Sequence, residues 1–240
     1  MAASGGGRRH ELARTLSTVA RQLEAEPDEN DTLGGIVQAA VATVPGVGYG
    51  GISQVQGRHV TARVPTDPLV AQCDQAQEQL GEGPCLDAIW QQHTVIVNDL
   101  ATEPRWPSFA ARATELGAGS LISFQLYVQD DNLGALNLYG NTGVRFGDEA
   151  QLVGEVFATH AAIALAGARH SRQLSEALDT RDAIGQAKGL LMARDNITAQ
   201  QAFNLLVAAS QHANIKLSQV AQWMIDEHDN PDGDHRPHAP

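Results

Sequence analysis

Residues 119–140 read GSLISFQLYVQDDNLGALNLYG. Gly119 to Val128 is rich in Leu, Ile, Phe, Tyr and Val, the residue types that fit a pleated, half-buried surface. Leu133 to Tyr139 is a second run of the same kind. Asp130-Asp131-Asn132 separates them, and Asp and Asn side chains bond their own backbone in tight turns. The pattern predicts two strands joined as a hairpin. Downstream, Gly147-Asp148-Glu149 opens a helix that reaches at least Ala168, with its acidic residues at the favourable end of the helix dipole. Upstream, Trp106 to Leu116 reads as a helix and Thr94 to Val97 as a short buried strand. Tyr49 to Gln56 and His59 to Val64 form a second hairpin signal around Gly57-Arg58. Residues 67–92 are mixed, with a loop at Gly81-Glu82-Gly83-Pro84 and a short helix over Leu86 to Gln91. Two helices come first. Leu12, Leu16, Val19, Ala20 and Leu23 mark one over about 9–25. Leu33, Ile36, Val37, Ala40, Val41 and Val44 mark another, capped by Asp31 or Thr32 and stopped by Pro45-Gly46. Helices followed by hairpin-joined strands predict an α+β domain built on an antiparallel sheet flanked by helices.

The helix beginning near Asp148 has no Gly-Pro stop. Ser171, Leu174, Leu178 and Ile184 continue it, so a long, stiff connector is expected. Thr198 can cap a further helix from Ala199 to about His212, with Ala202, Leu205, Leu206 and Ala209 on one face. Asn214-Ile215-Lys216 makes a turn. Leu217, Val220, Ala221, Met224 and Ile225 then form an apolar stripe. These elements predict a C-terminal three-helix bundle. Residues 229–240, DNPDGDHRPHAP, are polar and broken by Pro and Gly, and are expected to be disordered.

The chain has 240 residues, 42% of them hydrophobic, and a net charge of −12. That length allows one large domain or two modest ones. No uninterrupted apolar run reaches the ~18–20 residues of a membrane span; Val153 to Ala168 is broken by Glu155, Thr159 and His160. The N-terminus has no apolar signal region. Cys73 and Cys85 are too few for a disulfide framework. Together these point to the cytoplasm and away from a membrane. Residues 1–168 carry 9 basic and 19 acidic side chains, whereas residues 169–228 carry 6 of each. The C-terminal segment alone would not repel an acidic polymer.

Two family resemblances rest on specific residues. Gly81-Glu82-Gly83-Pro84-Cys85, Asn98-Asp99-Leu100, Arg105-Trp106-Pro107, Leu133-Gly134-Ala135-Leu136-Asn137-Leu138-Tyr139 and Phe146 resemble a GAF domain over residues 10–168. That resemblance implies a sensory fold on a central antiparallel sheet. Ile184, Gln186-Ala187-Lys188-Gly189, Leu191-Met192, Ala202-Phe203, Leu206, Ser210, Leu217 and Val220-Ala221 resemble an ANTAR domain, the antitermination-regulator family, over residues 169–228. That resemblance implies binding to paired small hairpins in nascent messenger RNA, so that a terminator does not form. The combined expectation is a signal-responsive transcription antitermination regulator, a homodimer and not an enzyme. The rival is a GAF-based ligand-sensing or dimerisation protein whose C-terminal helices dock a protein partner.

The residues themselves bear on both readings. Lys188 is a point charge suited to phosphate. Arg181, seven residues earlier, falls on nearly the same helix face, and Arg194 on a neighbouring one. Gln186, Ser210, Asn214 and Lys216 complete the expected RNA-binding set. Ala187 and Gly189 serve either close helix packing or close approach to RNA, and Ser210 and Asn214 serve either capping or contact. Phe203 is expected in the core. In the sensory domain, Cys85, Trp90, Trp106 and Phe109 either line a pocket for a small neutral or weakly acidic ligand or fill the core. Cys73 and Cys85 are either redox-responsive or buried and inert. Asn141, Phe146, Asp148 and Glu149 match part of a cyclic-nucleotide pattern, but Thr142 stands where it needs Lys. His93, His160 and His170 lack metal-ligand spacing, and no cofactor or metal is expected. No catalytic motif is present.

Overall fold

The computed structural model describes residues 29–56, 59–91, 94–129 and 131–229. The expected helix over 9–25, the Gly57-Arg58 turn and the tail from 230 on lie outside these. The chain divides into two compact units at 168/169.

The first unit is α+β. Its elements are α1 (Glu29–Thr43), β1 (Tyr49–Gln56), β2 (His59–Arg63), α2 (Pro68–Leu80), α3 (Pro84–Gln91), β3 (Val95–Val97), a 3-10 turn (Leu100–Thr102), α4 (Pro107–Leu116), β4 (Ser120–Val128) and β5 (Asp131–Gly140). The first part of α5 (Asp148–Asp195) closes it. The five strands run in the order β2-β1-β5-β4-β3, every neighbouring pair antiparallel. The quoted hairpin is β4–β5, with Val128 paired to Asp131 and a register shift between Leu126 and Tyr127.

Both faces of the sheet are buried, which is why its central strands read as near-continuous apolar runs. Ile122, Phe124, Leu126, Leu136 and Leu138 point to one face, where they meet Leu33, Ile36 and Val37 of α1 and Phe157, Ala161 and Leu165 of α5. A Cβ at Gly154 would collide with the Phe124 ring, so this glycine lets α5 lie close on the sheet. Leu121 and Tyr139 point to the other face, onto Val70 and Cys73 of α2, Phe109 of α4 and Trp106 at the start of α4. Cys85 and Ile89 of α3 pack there on Ala135.

Four elements differ from the sequence reading. β5 begins at Asp131, so Asp131 and Asn132, expected in the turn, pair with Val128 and Tyr127 in the ladder. α1 begins at Glu29, ahead of the expected Asp31 or Thr32 cap. α2 occupies a stretch read as mixed: Asp67 caps it by accepting from Leu69 N–H, Pro68 starts it, and Gly81 ends it at φ 67°. α3 begins at Pro84.

α5 contains an 18-residue window of mean hydropathy 1.2, enough by length and composition to cross a membrane, and 44% of that window is buried. Phe157, Ala161 and Leu165 on its sheet-facing row are among the buried residues, with Val153, Ala158 and Ala162 beside them, as expected of a core helix.

The second unit holds the rest of α5, α6 (Ala199–Ala213) and α7 (Leu217–Asp229). A capping box starts α6: Thr198 and Gln201 each satisfy the other's backbone N–H. Asn214 ends it in the left-handed conformation, φ 53°. Ala187, Leu191, Ala202, Leu206, Val220 and Ala221 form the core, with Ile184, Leu217 and Met224 against it. Leu205 and Ala209, expected on the buried face of α6, are exposed.

Candidate nucleic-acid interface and sensory face

The residues expected to contact RNA fall into three places. Arg181, Gln186 and Lys188 lie on α5. Arg181 and Gln186 are exposed, and Lys188 is half-buried with its Nζ 6.0 Å from the centre of the Phe203 ring. That distance is at the ~6 Å reach of a cation–π contact. Phe203, expected in the core, is half-buried and is not among the residues packed on the Ala187, Leu206 and Val220 cluster; its ring lies under the Lys188 ammonium instead. Ala187 is fully buried, so its small side chain serves helix packing. Gly189 is exposed, and a Cβ there would meet nothing within 4 Å.

Ser210, Asn214 and Lys216 lie at the α6–α7 turn. Ser210 Oγ donates to the Ile215 carbonyl at 2.6 Å, and Asn214 N–H donates to the Ser210 carbonyl. Lys216 N–H donates to Gln219 Oε1 at 3.2 Å, leaving its ammonium exposed. Ser210 is thus engaged in turn chemistry. Arg194 stands apart: its guanidinium forks onto Asp195 at 2.8 and 2.9 Å. It borders an apolar groove of about 740 Å³ lined by Leu205, Leu206, Val220, Trp223 and Met224. Nothing in the sequence pattern announced that groove, because it depends on which α6 side chains turn outward.

In the first unit the four expected pocket residues do not share one setting. Trp106 and Phe109 are buried together. Cys85 is buried in a neighbouring cluster with Ile89 and Ala135. Trp90 is 57% exposed. Glu82 of the Gly81-Glu82-Gly83-Pro84-Cys85 motif reaches across to α4, where its Oε1 accepts from Ser108 N–H at 2.7 Å and Phe109 N–H at 2.9 Å. Asn98 pins the segment before α5 by accepting from Phe146 N–H at 2.6 Å.

The sequence reading missed a buried polar cluster between the sheet and α2. Ser123 Oγ donates to Asn137 Oδ1 at 2.8 Å, and Asn137 Nδ2 donates to Ser53 Oγ at 2.8 Å and Asp74 Oδ1 at 3.0 Å. Tyr139 OH also points at Asp74 Oδ1, at 3.4 Å. Gln77 Oε1 accepts from Cys85 N–H at 2.8 Å. Asp74 Oδ2 and Gln77 Nε2 are buried without a hydrogen-bond partner among the described residues. Burial raises the Asp74 carboxyl to about 7, against hydrogen bonds from Ser53, Asn137 and Tyr139 that lower it. Burial also pushes the thiols of Cys73 and Cys85 up to about 12, with the Asp74 charge adding to the shift. Both are therefore poor nucleophiles near neutral pH. Among the described residues, no group of His, Cys, Asp and Glu is arranged to hold a metal ion.

A helix-flanked antiparallel sheet followed by a separate helical unit defines an α+β chain of two compact units. The chain belongs to the GAF family: the GAF domain model matches residues 26–166, and an ANTAR domain model matches residues 172–225. Solved structures with the same fold include a GAF sensor protein from Burkholderia vietnamiensis, at 18% identity and TM-score 0.52, covering 65% of this chain and 93% of that one. The free methionine-R-sulfoxide reductase of Neisseria meningitidis aligns at 18% identity and TM-score 0.53, covering 71% and 95%. An N-acylhomoserine lactone dependent LuxR-family transcription factor from Burkholderia cenocepacia aligns at 21% and 0.53, covering 65% and 95%. At these identities the likeness concerns the fold alone. No curated protein matches the chain.

Proposed function

We propose that this chain is a cytoplasmic, non-enzymatic, signal-responsive antitermination regulator. Residues 169–228 bind paired hairpins in nascent messenger RNA, and residues 10–168 sense a small-molecule signal. The protein acts as a homodimer, so that two helical modules meet two hairpins. The observation that carries the reading is the ANTAR match at 172–225 directly after a GAF match. Two features support it: Arg181, Gln186 and the Lys188 head are carried on one helix, and the Lys216 ammonium stands exposed at the α6–α7 turn.

Capture of RNA bound to the protein in cells, followed by sequencing, tests the reading. The expected result is leader transcripts containing two closely spaced hairpins, with salt-dependent binding to such pairs in vitro and weaker binding to either hairpin alone. Recovery of no enriched RNA, with no salt-dependent binding to paired hairpins, overturns it. The rival, a C-terminal unit that docks a protein partner, draws on the groove beside Leu205 and Trp223, both about half exposed.

A further inference from the structure

The sheet face that α2 covers carries buried polar side chains at Ser53, Ser123, Gln125 and Asn137, and α2 adds Asp74 and Gln77 from its buried side. The hydrogen bonds fix which of their atoms are already engaged. Asn137 Nδ2 donates to Ser53 Oγ and Asp74 Oδ1, and Ser123 Oγ donates to Asn137 Oδ1. Gln77 Oε1 accepts from Cys85 N–H at 2.8 Å, so the amide cannot be turned round without setting donor against donor. Gly83 leaves room for that arrangement, since a Cβ there would sit 2.6 Å from Gln77 Cγ. Two atoms are left over. Asp74 Oδ2, an acceptor, and Gln77 Nε2, a donor, are buried without a partner among the described residues. Asp74 and Gln77 are 7% and 1% exposed, and residues three apart on a helix share one face with about 5–6 Å between Cβ atoms.

Asp74 also lacks a counter-charge. No Lys, Arg or His is among the buried described residues. The titratable groups around Asp74 are Cys73, Cys85 and Tyr139, and burial raises all three, so none is charged near pH 7. Arg112, whose field reaches Cys73, pairs with Glu115 at 3.0 Å on the surface. A water bridging Oδ2 and Nε2 would satisfy both hydrogen bonds but bring no charge. We infer that these two atoms are the polar end of a ligand site, and that its ligand is a small protonated amine that donates to Asp74 and carries a neutral oxygen acceptor on the same edge for the Gln77 N–H. A single free carboxylate oxygen suits the point charge of an ammonium rather than the two-pronged guanidinium. The acceptor is a carbonyl, hydroxyl or ether, because the site holds no cation to balance a carboxylate. This replaces the neutral or weakly acidic ligand expected from the sequence. The inference rests on the sensory reading of the first unit and specifies its ligand. Both atoms are sealed, so the ligand enters as α2 lifts. That helix is joined to β2 through Val64, a β-branched residue at φ 44°, and to α3 through Gly81 and Gly83 at φ 67° and 143°, which are the positions placed to pivot.

The test uses the full chain without RNA. L-alaninamide and L-leucinamide supply an ammonium beside a carbonyl. Their N-acetylated amides are the neutral counterparts, and N-acetyl-L-alanine and N-acetyl-L-leucine the acidic ones. Thermal shift and calorimetry near pH 7 should show binding of at least one amine and of neither of its counterparts. Asp74→Asn should weaken that binding roughly 10-fold or more, the loss of a charge-assisted hydrogen bond. Should Asp74→Asn misfold, the wild type decides. Titration in two buffers of different ionisation heat should show protons released on binding, because the ammonium ionises a carboxyl raised to about 7. A neutral or acidic probe that binds as well as its amine overturns the inference and keeps the sensory reading. An amine that binds Asp74→Asn as tightly as the wild type, or binds without releasing protons, overturns it as well. So does the failure of every probe to bind; the sensory reading then survives only if a fractionated metabolite extract raises the melting temperature.

Discussion

Asp74 and Asn137 stand 63 residues apart in sequence and share a buried hydrogen bond of 3.0 Å, yet no cation balances the Asp74 carboxylate among the described contacts. One oxygen, Oδ1, collects Asn137 and Tyr139, while Oδ2 has no partner among the described residues. An ionised carboxylate in that setting is costly, because burial removes its water without supplying an opposite charge.

The first prediction follows from this cost. The Asp74 carboxyl is raised to about 7 in the folded protein, against ~3.9 in an unfolded chain. The folded state therefore holds a proton that the unfolded state has released between about pH 4 and 7, so stability falls as pH rises through that window. Three units correspond to at most about 4 kcal/mol. Asp74→Asn should match the wild type near pH 4 and be more stable at pH 8. Urea midpoints from pH 4 to 8 check this. Parallel curves for the two proteins would show that Asp74 is not buried as an acid.

Glu82 ties α4 to the loop between α2 and α3 by accepting from Ser108 and Phe109 N–H, two of the free donors at the helix start. Glu82→Ala should cost about 1–2 kcal/mol, the usual range for loss of an N-terminal cap. Glu82→Gln keeps an acceptor oxygen and should recover part of it. Denaturation midpoints of the three proteins should fall in the order wild type, Gln, Ala.

Cys73 and Cys85 are both nearly inaccessible and their thiols are pushed up to about 12. The native protein at pH 8 should therefore leave an aromatic disulfide reagent unconsumed, and two thiols should appear on adding urea. A thiol that titrates rapidly in native protein would restore a redox role for the sensory domain.

What the sequence revealed depended on whether the core and the pattern agreed. β1 was legible to the residue because an extended run ends at Gly57-Arg58. α2 was not, because Asp74 and Gln77 sit on its buried face and break the apolar period there; the residues that hid the helix are those of the polar cluster. Asp67-Pro68 and Gly81 were the available signals. Trp90, Trp106 and Phe109 looked alike in composition, but which side of a helix faces the sheet is a tertiary fact, and it exposes Trp90. The Lys188–Phe203 contact joins two helices and leaves no trace in local spacing.

The last prediction concerns that contact. Lys188 Nζ lies 6.0 Å from the Phe203 ring, and the side chain is only half-buried, so the charge stays available while the ring restricts where it sits. If the ammonium meets one RNA phosphate, Lys188→Ala should weaken binding to paired hairpins and make the log–log salt dependence shallower by roughly 0.7–0.9, the counterion release of one phosphate contact. Phe203→Leu keeps an apolar side chain at the half-buried position but removes the π face. It should weaken binding less and leave the salt slope nearly unchanged, since the charge is still present but less well placed. Titrations over a salt series, with circular dichroism to confirm intact helices, distinguish the two effects. An unaltered slope for Lys188→Ala would remove Lys188 from the phosphate contacts and leave Arg181 and Lys216 as the cations to test next.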